Sequence, residues 1–136
     1  MTRREAREQA LCLVFEKIFH DEPLPEVIEL AKEARDLAPD PFANQLANGV
    51  FDHLEELDGI VEKHAIGWTK GRISKVVLSI LRLALFEIAY MRDIPASVTI
   101  NEAVELAKKY GGTGDSAFVN GILGTYERSL HPEKTE

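Results

Sequence analysis

Arg3, Arg4 and Arg7 sit in the opening turns of a segment that reads as a helix, and their type and spacing point most directly to chemistry. At 100° per residue they share a side with Leu11, Val14, Phe15 and Ile18, while Glu5, Glu8, Gln9 and Glu16 face away. Three cations at a helix N-terminus oppose the macrodipole, which favours acids there, so local helix stability does not explain them. A bound anion would. Phosphates at a helix N-terminus, with an aromatic ring available for stacking, suit single-stranded RNA. The competing reading is a disordered, generically basic start.

Other candidate groups lead to no catalytic constellation. The four histidines are His20, His53, His64 and His131, and none belongs to a Glu-x-x-His pair of the kind that binds metal inside helical bundles; Glu16 and His20 stand one turn apart but alone. No metal site and no cofactor are expected. The GGTG run at residues 111–114 is not followed by Gly-Lys-Ser/Thr, so it is not a phosphate loop. Cys12, the single cysteine, falls among apolar positions of the first helix and is expected to be an inert, buried thiol. The many neighbouring carboxylates lack an apolar context and read as solvated. The expectation is a protein that is not an enzyme.

The elements that must position these residues are almost all helical. Residues 3–19 contain no Gly or Pro; Pro23 and Pro25 open a second helix to about Leu37, and Pro39 and Pro41 a third from Phe42 to about Leu57. A short helix then covers about Leu57 to Ala65, and Gly67 and Gly71 bracket a turn around Trp68, expected to be a core anchor. Residues 74–91 are apolar on nearly all sides apart from Ser74, Lys75, Ser79, Arg82 and Glu87, as befits the buried central helix of a bundle. That run is too short and too interrupted by charge to span a bilayer. Thr99 and Glu102 have capping-box spacing for the next helix, with Gly111 as a left-handed stop. Asp115 or Ser116 then caps a last helix to about Leu130. Nothing alternates with a strand period. The expected fold is an all-α compact bundle of about seven helices, a single domain over residues 1–130 with a frayed tail at 131–136.

Charge is unevenly distributed. The 136 residues carry 16 Lys+Arg and 23 Asp+Glu, a formal net charge of −7, which argues against nucleic acid as a partner. Yet residues 21–62 hold twelve acids and two bases, a net of −10, leaving +3 for the remainder. From Lys63 to Phe86 there is no acid, while Lys63, Lys70, Arg72, Lys75 and Arg82 are basic. The lone cysteine and the lack of an apolar leader at the start lead to the expectation of a cytoplasmic setting.

Four segments, RREAREQAL at the start, ILRLALFEI in the central helix, IPASVTINEAVELAKKYG and FVNGIL, together resemble the NusB family of bacterial transcription antitermination factors. The resemblance runs from Arg3 to about Leu123 in the family's order and spacing. It implies two small three-helix subdomains packed across each other. It also implies a role in assembly rather than catalysis: binding the boxA element of nascent RNA together with the ribosomal protein NusE, within the RNA polymerase antitermination complex that transcribes ribosomal RNA operons.

By the same resemblance, Arg3, Arg4 and Arg7 match the family's basic RNA-binding start, Phe15 an aromatic position on that helix, and Phe118 a residue near the RNA path. Lys108 and Lys109 could add phosphate contacts, and Asp115 lies where family members carry an acid linked to NusE. Asn101, Glu102 and Asn120 belong to the motif but are expected to cap helices or bridge buried polar groups. Ala117 stands where many relatives have a basic residue. Two alternatives remain: a helical protein-interaction adaptor working through the acidic block, or a NusB-like module related to rRNA-modifying enzymes, against which the length of the chain speaks. A second copy, giving a homodimer, or NusE could equally cover apolar surface.

Overall fold

The computed structural model describes residues 2–18, 40–65 and 73–131. Within them the chain forms six helices and no strand: α1 Arg3–Lys17, α2 Pro41–Asp52, α3 Leu54–His64, α4 Lys75–Tyr90, α5 Ala96–Tyr110 and α6 Asp115–Ser129. The expected helix after Pro23 and Pro25, the turn around Trp68, His20 and all of the tail beyond His131 lie outside the described residues. The all-α expectation holds.

Helix starts follow side-chain chemistry, though not always at the expected residues. The capping box belongs to α1: Thr2 Oγ1 accepts from the Glu5 amide at 3.0 Å, and Glu5 Oε1 accepts from the Thr2 amide at 3.0 Å. Thr99 and Glu102, assigned that role from spacing, instead lie inside α5, which begins after Pro95. Asp40 caps α2 by accepting from the Phe42 and Ala43 amides, with Pro41 supplying a first residue that has no amide hydrogen to satisfy. The Asp40 amide in turn donates to Gln9 Oε1 at 3.1 Å, which registers the start of α2 against α1. Gln9, expected to face away, is therefore buried. The helix expected to run through Leu57 breaks at His53, whose φ of −124° and ψ of 22° separate α2 from α3. His53 stacks on Tyr90 with ring centroids 4.2 Å apart, and Tyr90 donates to Glu56 at 2.6 Å, holding that joint against the end of α4.

The core is built around α4, which packs against every other described helix. From Val77 to Ile88 all its residues are buried, including Ile80, Leu81 and Leu85 with no exposure. Burying an aliphatic side chain of this size stabilises by about 1.5–3 kcal/mol, so this one helix supplies a large share of the driving force. Gly49 lets α2 approach it, since a Cβ there would collide with the Phe86 ring. α1 pairs with α2, and α5 with α6. Of the two expected subdomains, α1 and α2 represent the first. α4, α5 and α6 form the second, with α3 lying against α4 and α6.

Two charged residues of α4 enter this apolar surrounding because each meets a matched partner. Arg82 donates from Nε and Nη2 to both oxygens of Asp58 on α3, at 2.8 and 2.9 Å. Asp58, counted with a solvated acidic block, is in fact buried. Glu87 accepts two bonds from Arg7 of α1 and a third from the Thr99 hydroxyl of α5 at 3.1 Å. No helix among the described residues is long and apolar enough to cross a membrane.

Candidate functional site

The basic start of α1 is divided among three environments. Arg7 is 6% exposed and donates from Nε and Nη2 to Glu87 at 2.9 and 2.8 Å, so its guanidinium belongs to the core. The bond to Glu87 raises its pKa further above the ordinary arginine value. Arg4 reaches outward to Glu102 of α5, with bonds of 3.0 and 3.1 Å, and its side chain stays 63% exposed. Arg3 lies over the Phe42 ring, its guanidinium carbon 3.8 Å from the centroid, at the edge of a cleft of about 400 Å³ that also includes Thr2, Asp40 and Gln45. The premise that folding leaves these arginines unexplained is thus corrected: each has an intramolecular partner, and Arg7 is unavailable to a ligand in this conformation.

α5 supplies the facing side. Glu102, Glu105 and Lys109 recur at helical spacing and, with Arg4, Glu8 and Leu106, line a cleft of about 190 Å³ between α1 and α5. Lys109 donates to both oxygens of Glu8 at 2.9 and 3.0 Å, and Tyr110 donates to the same carboxylate at 3.1 Å. The Glu8 bond raises the Lys109 pKa, and burial followed by Glu8 raises that of Tyr110. Lys108 is exposed, with Glu105 at 3.5 Å as its salt-bridge partner. The cleft therefore presents Arg4 and Lys109 as exposed cations while holding carboxylates among them, and Lys108 stands exposed beside Glu105.

The remaining expected residues fall elsewhere on the same helices. Phe15 is half-buried and lies about 16 Å further along α1 than Arg4 at 1.5 Å per residue. Phe118, on the second turn of α6, is half-buried and packs on the core with one side. Asp115 does not cap α6; its Oδ2 accepts from the Gly112 amide at 2.6 Å, fastening the turn that joins α5 to α6. The cap position is Gly114, whose φ of 86° makes it the left-handed residue of this turn. Gly111, expected to take that conformation, is extended instead. Asn101 and Asn120 are exposed, against the expectation of capping or buried bridging, and so is the Cys12 thiol. Among the described residues no group of three or more His, Cys, Asp or Glu is placed to hold a metal ion.

Comparison with known proteins bears on this arrangement. The profile of the NusB family matches residues 4–128. The chain belongs to the NusB family. It is 42% identical over 130 residues to the transcription antitermination protein NusB of Bacillus subtilis, covering 96% of this chain and 98% of that one. The NusB of Acetivibrio thermocellus is 44% identical over 126 residues, covering 91% and 87%. Among solved structures, T. maritima NusB superposes with a TM-score of 0.83 at 32% identity, covering 94% of this chain and 92% of that one. The crystal structure of antitermination factors NusB and NusE in complex with dsRNA gives a TM-score of 0.82 at 25% identity, covering 93% and 96%. The NusB relatives thus share the helix arrangement that builds the α1–α5 cleft.

Sequence reasoning missed Glu8, Glu102, Tyr110 and Phe42 as parts of this surface. Glu8 does not face away from the arginines as expected, and a signal for the acids was present: Arg4 and Glu8, four residues apart, share one face of α1, and Glu102, Glu105 and Lys109 one face of α5. What one helix at a time could not reveal is that these two faces oppose each other.

Proposed function

We propose that this protein is a transcription antitermination factor that binds boxA-type single-stranded RNA together with the ribosomal protein NusE, supporting processive transcription of ribosomal RNA operons. The observation that carries the reading is family membership across nearly the whole chain, with the exposed cations Arg4 and Lys109 lining the cleft between α1 and α5. Arg3, Arg4, Lys108 and Lys109 hold phosphates, and Phe118 and Phe15 offer rings to bases. Arg7 acts through the fold, by fixing α1 on α4. Asp115 shapes the α5–α6 turn that faces NusE. The role is assembly rather than catalysis, it is performed in the cytoplasm, and residues 1–130 work as one RNA-binding domain.

A salt-titrated binding curve for boxA-type RNA, with and without NusE, tests this. Specific binding strengthened by NusE is expected, and Arg4→Ala should flatten the log–log salt dependence, by at most about 0.7 for the single-strand phosphate contact it loses. Binding no better than to scrambled RNA in either condition would refute the function, and tighter binding to a duplex than to the single strand would refute the single-stranded reading. Phe118→Ala should weaken binding with the fold retained.

A further inference from the structure

The cations at the α1–α5 cleft are already occupied. Arg4 holds both oxygens of Glu102, and Lys109 holds both oxygens of Glu8, in the paired geometry a phosphate would otherwise take. The two partners in each pair are unequally placed. The Arg4 and Lys109 side chains are 63% and 56% exposed, whereas those of Glu102 and Glu8 are 20% and 27% exposed. The acids are anchored in the seam and the cations reach to them from its mouth on long, flexible stems. Close packing between the α1 and α5 backbones is sparse, so these bridges span a cleft rather than decorate a sealed interface. α1 is secured without them, through its packing on α2 and α4 and the buried Arg7–Glu87–Thr99 bonds.

We propose that Glu102 and Glu8 are built-in competitors for the RNA backbone, resting anions that compete with phosphate for Arg4 and Lys109. This inference rests on the RNA-binding function proposed above and assigns its regulation. When an arginine already neutralised by a carboxylate takes a phosphate instead, the freed carboxylate takes up a cation and offsets the one released from the RNA, so both affinity and salt dependence are held down. The surface is thereby kept from loading on any passing polyanion, and binding depends on additional contacts such as those of a protein partner. The pairs are exposed enough to be modest in strength, which makes the exchange reversible.

The test is a double-mutant cycle on binding of boxA-type RNA in the presence of NusE. Glu102→Gln should raise affinity about two- to five-fold, the range expected for one exposed ion pair, and should steepen the log–log salt slope by up to about 0.7. In an Arg4→Ala background the same substitution should do neither, because its effect passes through Arg4. Glu55→Gln, which removes the same charge from an exposed position on α3, is the control. Glu8→Gln with Lys109→Ala provides a second cycle should Glu102→Gln lower the melting temperature. The proposal is overturned if the acid-to-amide variants, folded as stably as the parent, bind no better. It is equally overturned if the gain persists without the paired cation, or if Glu55→Gln matches it. Failure of the parent chain with NusE to prefer boxA-type over scrambled RNA would instead overturn the proposed function, and this inference with it.

Discussion

Glu87 is the residue on which the position of α1 turns. It is 2% exposed and accepts three hydrogen bonds, two from Arg7 and one from Thr99, so its charge is fully engaged. Removing one side of such a pair leaves the other charge buried and unmatched, which costs about 3–5 kcal/mol. Glu87→Ala should therefore lower the urea midpoint sharply, whereas Arg4→Ala, at the exposed start of α1, should leave it nearly unchanged while weakening RNA binding. Equal stability losses in the two variants would contradict the assignment of Arg7 to the core and Arg4 to the surface. From sequence the three arginines were indistinguishable. Helical periodicity put them on one side of α1, but the partner that claims Arg7 lies 80 positions away in the chain. Glu87 itself was legible only as an interruption of an apolar run.

At the scale of the element, helix starts show how much local chemistry reveals. Asp40 with Pro41, and Ser74, do what their residue types suggest. The box at Thr2 and Glu5 obeys the same rule that misassigned Thr99 and Glu102, because the Thr-x-x-Glu spacing also arises inside a helix when tertiary partners recruit both side chains. The turn between α5 and α6 was similarly readable as a turn, but not in its detail. Several glycines stand there, and only Gly114 adopts a positive φ among the described residues. Gly114→Ala should destabilise the fold by about 1–2 kcal/mol through left-handed backbone strain, even though a Cβ there has open space around it. Thermal unfolding would reveal this, and an unchanged transition would show that the turn relaxes.

For the molecule as a whole, the formal charge of −7 proved a poor guide, since cations and acids are distributed by surface and by depth. Its dependence on pH should be set partly by His64 at the end of α3. Burial, with Lys63 adding to it, holds this imidazole below the ordinary histidine value of 6.5. The unfolded chain then takes up the proton more readily than the folded one. The stability contributed by neutral His64 is present above about pH 6.5 and is lost as the pH falls through that value towards the lowered one. Urea midpoints measured between about pH 7.5 and 5.5 should decline. His64→Phe, which keeps a ring beside Tyr126, should remove part of that decline. A variant and parent that fall in parallel would show that other groups govern the response. The all-helical architecture was legible from the prolines and apolar spacing, whereas the α1–α5 cleft was not, because it arises from how two separately amphipathic helices are held apart.

The central position of α4 has a consequence for the lifetime of the protein in a cell. Every other described helix shields part of one apolar cylinder, so lifting any of them bares a strip of that cylinder to water. Partial opening is then the hazardous event, ahead of complete unfolding, because the species it creates is sticky while still compact. Slow amide exchange in α4, with self-association increasing under conditions that loosen only α5 and α6, would be its signature.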